Sequence, residues 1–206
     1  MDHQFVRRAP ANGMRVLFVA AEVFPLAKTG GLADVAAALP ATLAGLGVDV
    51  RLMMPAYPQA LESARGKRVV AELPGGPGAP PSRIIAALTP DTHLRVFLLD
   101  CPPLYQRDGG PYQSENGQDW PDNAERFALL CRAAADVARG AVLPDWRPDV
   151  VHCNDWHAGL VPAYHALSGG RRPATLFTIH NLAFQGLFPS GAFPALGLSP
   201  DMLSPD

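Results

Sequence analysis

Between Met14 and Ala21 the chain reads MRVLFVAA, an apolar run rich in Val, Leu and Phe, as expected of a strand covered on both faces in a parallel sheet. Leu32, Val35, Ala36, Leu39, Leu43 and Leu46 then keep one face apolar at helical spacing from about Gly31. Gly47 is a natural stop before VDVRLMMP, which reads as a second strand. The product is a β-loop-α-β unit. Pro40 falls inside its helix, where it removes a backbone donor and crowds the preceding turn, so a kink or a break into two helices is expected.

The pattern then loosens. KRVVAEL, SRIIAALT and HLRVFLLD predict three short strands, an antiparallel excursion between about Lys67 and Asp100, the first two joined by PGGPGAPP. Gly75, Gly76 and Gly78 precede a strand rather than a helix N-terminus, which favours a flexible loop over a phosphate loop. From Cys101 to Trp120 the chain is polar, glycine-rich and aromatic, longer than most connections, and such loops often carry function. Asp122 or Asn123 then caps a helix to about Arg139, with Phe127, Leu130, Cys131, Ala134 and Val137 buried. Alternation returns with a strand in PDVVHCND, a helix in HAGLVPAYHALSG ended by Gly169 and Gly170, and a strand in ATLFTIH. After His180 the chain is loop-like, and its final Ser-Pro-Asp resembles the approach to a helix, so truncation is expected.

Composition mainly excludes. With 48% hydrophobic and 17% charged residues in 206, the chain can bury a substantial core. A net charge of −2, with no basic face interleaved with aromatics, removes nucleic acid as an expected partner and means that any anionic ligand is held locally. No apolar run approaches the ~20 residues that span a bilayer, so no membrane partner is expected. MDHQFVRRAPANG, residues 1–13, reads as a polar tail without a secretion signal. Cys101, Cys131 and Cys153 are odd in number and widely spaced, which argues against a disulfide framework and for the cytoplasm.

In open parallel sheets ligands gather beyond the carboxyl ends of the strands, and three segments are expected there: EVFPLAKTGGLAD, NDWHAG and HNLAFQG. In the first, Gly30 and Gly31 let backbone amides approach a ligand, the following helix presents its partially positive N-terminus, and Lys28 adds a full charge. That is an anion site suited to phosphate; a tight turn beside a solvated lysine explains the same residues about as well. His152, Cys153 and His157 include zinc-ligand types, but successive strand residues face opposite sides and no second ligand cluster exists, so no metal is expected. Asp155 can accept hydrogen bonds from hydroxyls or cap a helix; Trp156 reads as packing. His180 and Asn181 can grip a sugar hydroxyl, or His180 can bond a loop carbonyl in a purely structural role.

Taken together, KTGGLADV with the preceding AAEVFPLA, RPDVVHCNDWHAGLVPAY and FTIHNLAFQG, in this order, resemble the N-terminal domain of bacterial glycogen synthases and plastid-type starch synthases. LYQRDGGPY fits the same resemblance, which runs from about Met14 to the end. It implies a Rossmann-like parallel sheet with helices on both faces over residues 14–206, one half of a GT-B glycosyltransferase whose C-terminal domain is absent. It further implies transfer of glucose from ADP-glucose to the non-reducing end of an α-1,4-glucan with retention and without cofactor or metal; the fragment alone is expected to be inactive. By the same resemblance Lys28, Gly30 and Gly31 meet the donor diphosphate, and Asp34 matches an aspartate near that turn, where helix-dipole stabilisation is explanation enough. Tyr105, Asp155, His180 and Asn181 match residues at the glucosyl and acceptor end; Tyr105 is expected to stack on sugar rings, His180 and Asp155 to serve catalysis. A glucan-binding module without catalysis, and a related GT-B transferase using another sugar nucleotide, stay open at this point.

Overall fold

The computed structural model describes residues 13–76, 79–170, 172–198 and 200–203; the tail expected over 1–13 lies outside them apart from Gly13, as does Gly78. Seven strands form one sheet: β1 (Arg15–Val19), β2 (Asp49–Pro55), β3 (Arg65–Leu73), β4 (Ser82–Leu88), β5 (Arg95–Asp100), β6 (Val150–Asn154) and β7 (Ala174–Thr178), in the order β3-β4-β5-β2-β1-β6-β7. The strands from β5 to β7 pair in parallel, while β3, β4 and β5 pair antiparallel, so the excursion expected between Lys67 and Asp100 is present. Leu17, Phe18 and Val19 of β1 and Leu52, Met53 and Met54 of β2 are fully buried, as strands covered on both faces must be. Truncating one such side chain, Phe18→Ala, is expected to cost about 3–5 kcal/mol.

Helices α1 (Gly31–Gly45), α2 (Pro58–Ser63), α3 (Pro102–Tyr105), α4 (Asn123–Arg139) and α5 (Val161–Leu167) connect the strands. The β1-α1-β2 unit travels toward β5, whereas α4 carries the chain back past β2 and β1 to β6. Right-handed crossovers in opposite directions put α1 on one face of the sheet and α4 with α5 on the other. Strand order therefore reverses between β1 and β6, and at such a reversal an open α/β sheet forms a crevice beyond its carboxyl ends.

Four local expectations are corrected. The first helix runs unbroken through Pro40, which is itself buried; packing of Ala33, Ala36 and Pro40 against the sheet outweighs the missing hydrogen bond. That small-residue face is the buried one, and Val35, Leu39 and Leu46 are exposed. The helix expected from His157 is a 3-10 turn at Trp156–Ala158 followed by α5, because Pro162 lacks the N–H that a helix interior requires and fits the first turn instead. The last strand stops at Thr178, leaving Ile179 and His180 in the loop.

Candidate functional site

The turn after β1 is organised by carboxylates. Glu22, only 3% exposed, follows the apolar run. Its Oε1 accepts the Thr29 hydroxyl at 2.7 Å and the Tyr112 hydroxyl at 2.6 Å. Its Oε2 accepts the amides of Thr29 and, at 3.3 Å, Gly30. The Gly30 amide thus faces inward. What remains outward is the first turn of α1, where no side chain caps the helix and the amides of Gly31 and Leu32 have no partner within the helix. Lys28 stands beside it with Nζ 2.6 Å from Asp34 Oδ1, both side chains half exposed. Asp34 is therefore the partner of Lys28 as well as a first-turn acid. The chain's own packing does not demand either glycine: Gly30 is extended at φ −147°, and a Cβ on Gly30 or Gly31 would meet no atom within 4 Å.

Across the crevice the long segment 101–122 is pinned by Arg126, a fully buried cation on α4. Its guanidinium donates to the carbonyls of Leu104 and Pro111 and to Asn123 Oδ1. Burial pushes its pKa down, offset by the tyrosines and acid around it. Tyr105 is 1% exposed, donates its hydroxyl to the Arg126 carbonyl at 2.6 Å and meets Tyr57 edge-on. A face so covered cannot stack on a sugar ring, which corrects that expectation; Tyr105 supports the loop. Burial, with Tyr57 and Glu22 next, raises the Tyr112 pKa well above its ordinary value, so Tyr112 remains a hydrogen-bond donor. Its ring stacks on His157 at 4.7 Å, joining the β1 turn to the β6 turn. Asp122 precedes α4 without capping it, because Arg107 takes both its oxygens.

The turns after β6 and β7 are locked together. Asp155 sits at φ 56° and ψ −178°, a backbone region nearly restricted to glycine that costs a side chain about 1–3 kcal/mol. Its Oδ1 accepts the His180 amide at 2.7 Å, and its own amide donates to the Thr178 carbonyl at 2.9 Å. Buried Asn154 donates its amide nitrogen to the carbonyls of Val19 and His152. Its Oδ1, 3.0 Å from His180 Nε2, must then accept, so the exposed imidazole carries its proton on Nε2 and offers Nδ1 as an acceptor. Asn181 bends the loop by accepting the Ala183 amide at 2.9 Å.

The other imidazoles are used in packing. His152 contacts Thr178 at 2.8 Å and Phe18 edge-on, and burial, then His180, lowers its pKa. His157 lies among Tyr112, Phe127 and Trp156, and burial pulls its pKa down to about 3. Among the described residues no group of three His, Cys, Asp or Glu could hold a metal ion, and no helix is long and apolar enough to cross a membrane. Of the residues singled out in the sequence, Lys28, Gly30, Gly31, Asp155, His180 and Asn181 occupy one end of the sheet. Glu22, Tyr112 and His157 link the first turn to the turn after β6, on which Asp155 in turn holds His180. Glu22, Tyr112 and Arg126 were not singled out, although Arg126 stands on the buried stripe of α4 between Asn123 and Phe127, where a cation needs partners.

The model of the starch synthase catalytic domain family matches residues 15–206. The glycogen synthase of Paramagnetospirillum magneticum is 52% identical over 196 residues, 94% of this chain and 40% of its own length. That of Granulibacter bethesdensis is 56% identical over 196 residues, with the same coverage of 94% and 40%. Among solved structures, the catalytic domain of starch synthase IV from Arabidopsis thaliana bound to ADP and acarbose is similar at a TM-score of 0.73 and 26% identity, over 93% of this chain and 39% of that one. The chain spans about 40% of the length of the curated relatives it matches.

Proposed function

Because the chain belongs to the starch synthase catalytic domain family, we propose that it forms one wall of the active-site cleft of a retaining transferase that moves glucose from ADP-glucose to the non-reducing end of an α-1,4-glucan. The observation that carries this reading is the uncapped first turn of α1 beside Lys28, at the reversal of strand order. Support for the ligands comes from the names of the relatives and from the ADP and acarbose held by the similar starch synthase.

In this reading the diphosphate lies on the Gly31 and Leu32 amides, and Lys28 exchanges Asp34 for a phosphate oxygen. An exposed ion pair is worth about 0–1 kcal/mol, so little opposes the exchange. The open space at Gly30 and Gly31 lets the ligand reach the backbone. At the glucosyl end, Nδ1 of His180 accepts a sugar hydroxyl, its carbonyl faces the charge developing at the anomeric carbon, and Asp155 fixes the same residue through the His180 amide on the preceding peptide. The free amide nitrogen of Asn181 donates to a neighbouring hydroxyl. Residues 14–206 act as one Rossmann-like domain, and a second domain facing it supplies most of the nucleotide pocket. The cytoplasm fits its three buried, unpaired cysteines.

The test is ADP release by the product of the full reading frame, supplied with ADP-glucose with and without glycogen. Glycogen-dependent release with α-linked product is expected. Glycogen binding without ADP release would instead make this a glucan-binding module, and equal affinity for UDP-glucose would remove the nucleotide assignment.

A further inference from the structure

Glu22 has no part in the transfer as described, yet four donors converge on its two oxygens: the Thr29 amide and hydroxyl, the Gly30 amide and the Tyr112 hydroxyl. They come from two segments far apart in sequence, the glycine turn and the 101–122 loop. A carboxylate with two acceptor sites per oxygen suits four donors, and no other side chain of similar size does. Burying a negative charge next to the place proposed for a diphosphate runs against simple electrostatics, since like charges repel and the repulsion grows as solvent is excluded. The arrangement makes sense if the carboxylate's work is mechanical.

Building on the donor site proposed above, we propose that Glu22 is the positioning residue of the donor turn: its buried carboxylate holds Thr29 and Gly30 inward and fixes the turn to Tyr112, so that the Gly31 amide and Lys28 face the diphosphate. The two accounts of Glu22 differ in sign. If its charge dominates, Glu22→Gln removes a repulsion and tightens donor binding. If its geometry dominates, the same substitution turns part of the cluster donor-to-donor, the turn loosens, and donor binding weakens although a negative charge has gone.

The experiment uses the product of the full reading frame as wild type, Glu22→Gln and Tyr112→Phe. It reads ADP-glucose and glycogen KM, kcat, and amide hydrogen exchange of the ligand-free protein over residues 22–32 and 109–120. For Glu22→Gln the expected result is a donor KM raised ~10-fold or more, glycogen KM within ~2-fold, and faster exchange at Thr29 and Gly30. Tyr112→Phe, which cuts only the tie between the segments, should speed exchange over 109–120, leave Thr29 and Gly30 protected, and raise donor KM by only ~2–3-fold. A donor KM lowered in Glu22→Gln overturns the proposal in favour of charge. A raised KM with unchanged exchange overturns it in favour of direct ligand contact. Should Glu22→Gln not fold, Tyr112→Phe without faster loop exchange overturns it. Exchange is read without ligand, so a wild type that ignores ADP-glucose defeats the donor reading while the exchange pattern still decides whether Glu22 holds the turn.

Discussion

The turn after β1 and the loop after β7 stand at the same end of one sheet and are built on opposite terms. In the first, the inward donors and the lysine already have anions, Glu22 for the former and Asp34 for Lys28, while the amides at the start of α1 face outward without a cap. In the second, one carboxylate and one amide oxygen fix His180, and the chain on either side of it exposes Ile179, Leu182, Phe184 and Leu187, the last at 85%. That loop walls an apolar cavity of about 510 Å³ with Phe127, Trp156 and Leu160. The difference separates two kinds of readiness. For the donor proposed above, the β1 turn would need only an exchange of one exposed counterion, whereas the β7 side holds one ring on a loop that exposes much apolar surface.

The comparison can be broken first at its hinge, His157, which lies between the two regions. Its folded pKa, about 3, is below the ordinary histidine value, so its contribution is fully present above about pH 6.5 and is lost as pH falls toward 3. Urea midpoints should show a decline of up to about 1.4 kcal/mol per pH unit in that window, roughly 5 kcal/mol in all, which His157→Phe flattens. An unchanged slope in the variant would mean the ring is not held neutral. Next comes Asp155→Ala, which keeps the strained backbone and removes the acceptor of the His180 amide. Steady-state kinetics should show kcat falling about 100-fold or more with donor KM little changed. A loss confined to KM would assign Asp155 to binding.

On the β1 side, Lys28→Ala should weaken ADP-glucose binding by about 1.5–3 kcal/mol while glucan binding holds, and Lys28→Arg should recover only part. Rising salt should weaken the wild type more steeply than Lys28→Ala; parallel curves with unchanged affinity would return Lys28 to the status of a solvated surface residue. The smallest effect is the most discriminating. Gly31→Ala meets no atom of the chain itself, so thermal unfolding should show stability unchanged or raised by up to about 1 kcal/mol, while donor affinity falls. Loss of stability without loss of affinity would mean the glycine serves the fold.

Much of this was legible in the sequence because it depends on period and punctuation. The strand at MRVLFVAA follows from an unbroken apolar run, the antiparallel excursion from short apolar runs separated by Gly and Pro, and the α4 stripe from burial repeating near 3.6 residues, and each lies where those patterns put it. The unreadable parts depend on which polar group finds which. Nothing local in the sequence ties Glu22 to Tyr112, 90 residues apart, or turns Tyr105 inward onto Arg126. The buried face of α1 was misjudged for a related reason: the close approach of small residues Ala33 and Ala36 to the sheet outranks the bulk of Val35 and Leu39. The residues proposed to meet ligand stand on turns with special backbone or charge, a pattern visible in sequence, whereas Glu22, Tyr112 and Arg126, which hold other groups in place, left no such local mark.

The claim at the centre is that the turn after β1 receives the donor diphosphate with its internal anion in place. A crystal structure of the full reading frame with ADP tests it most directly. The account predicts phosphate oxygens about 3 Å from Lys28 Nζ and the Gly31 amide, Asp34 released, and Glu22 still bonded to Thr29 and Gly30. A diphosphate bound elsewhere, with the Lys28–Asp34 pair intact, would contradict it.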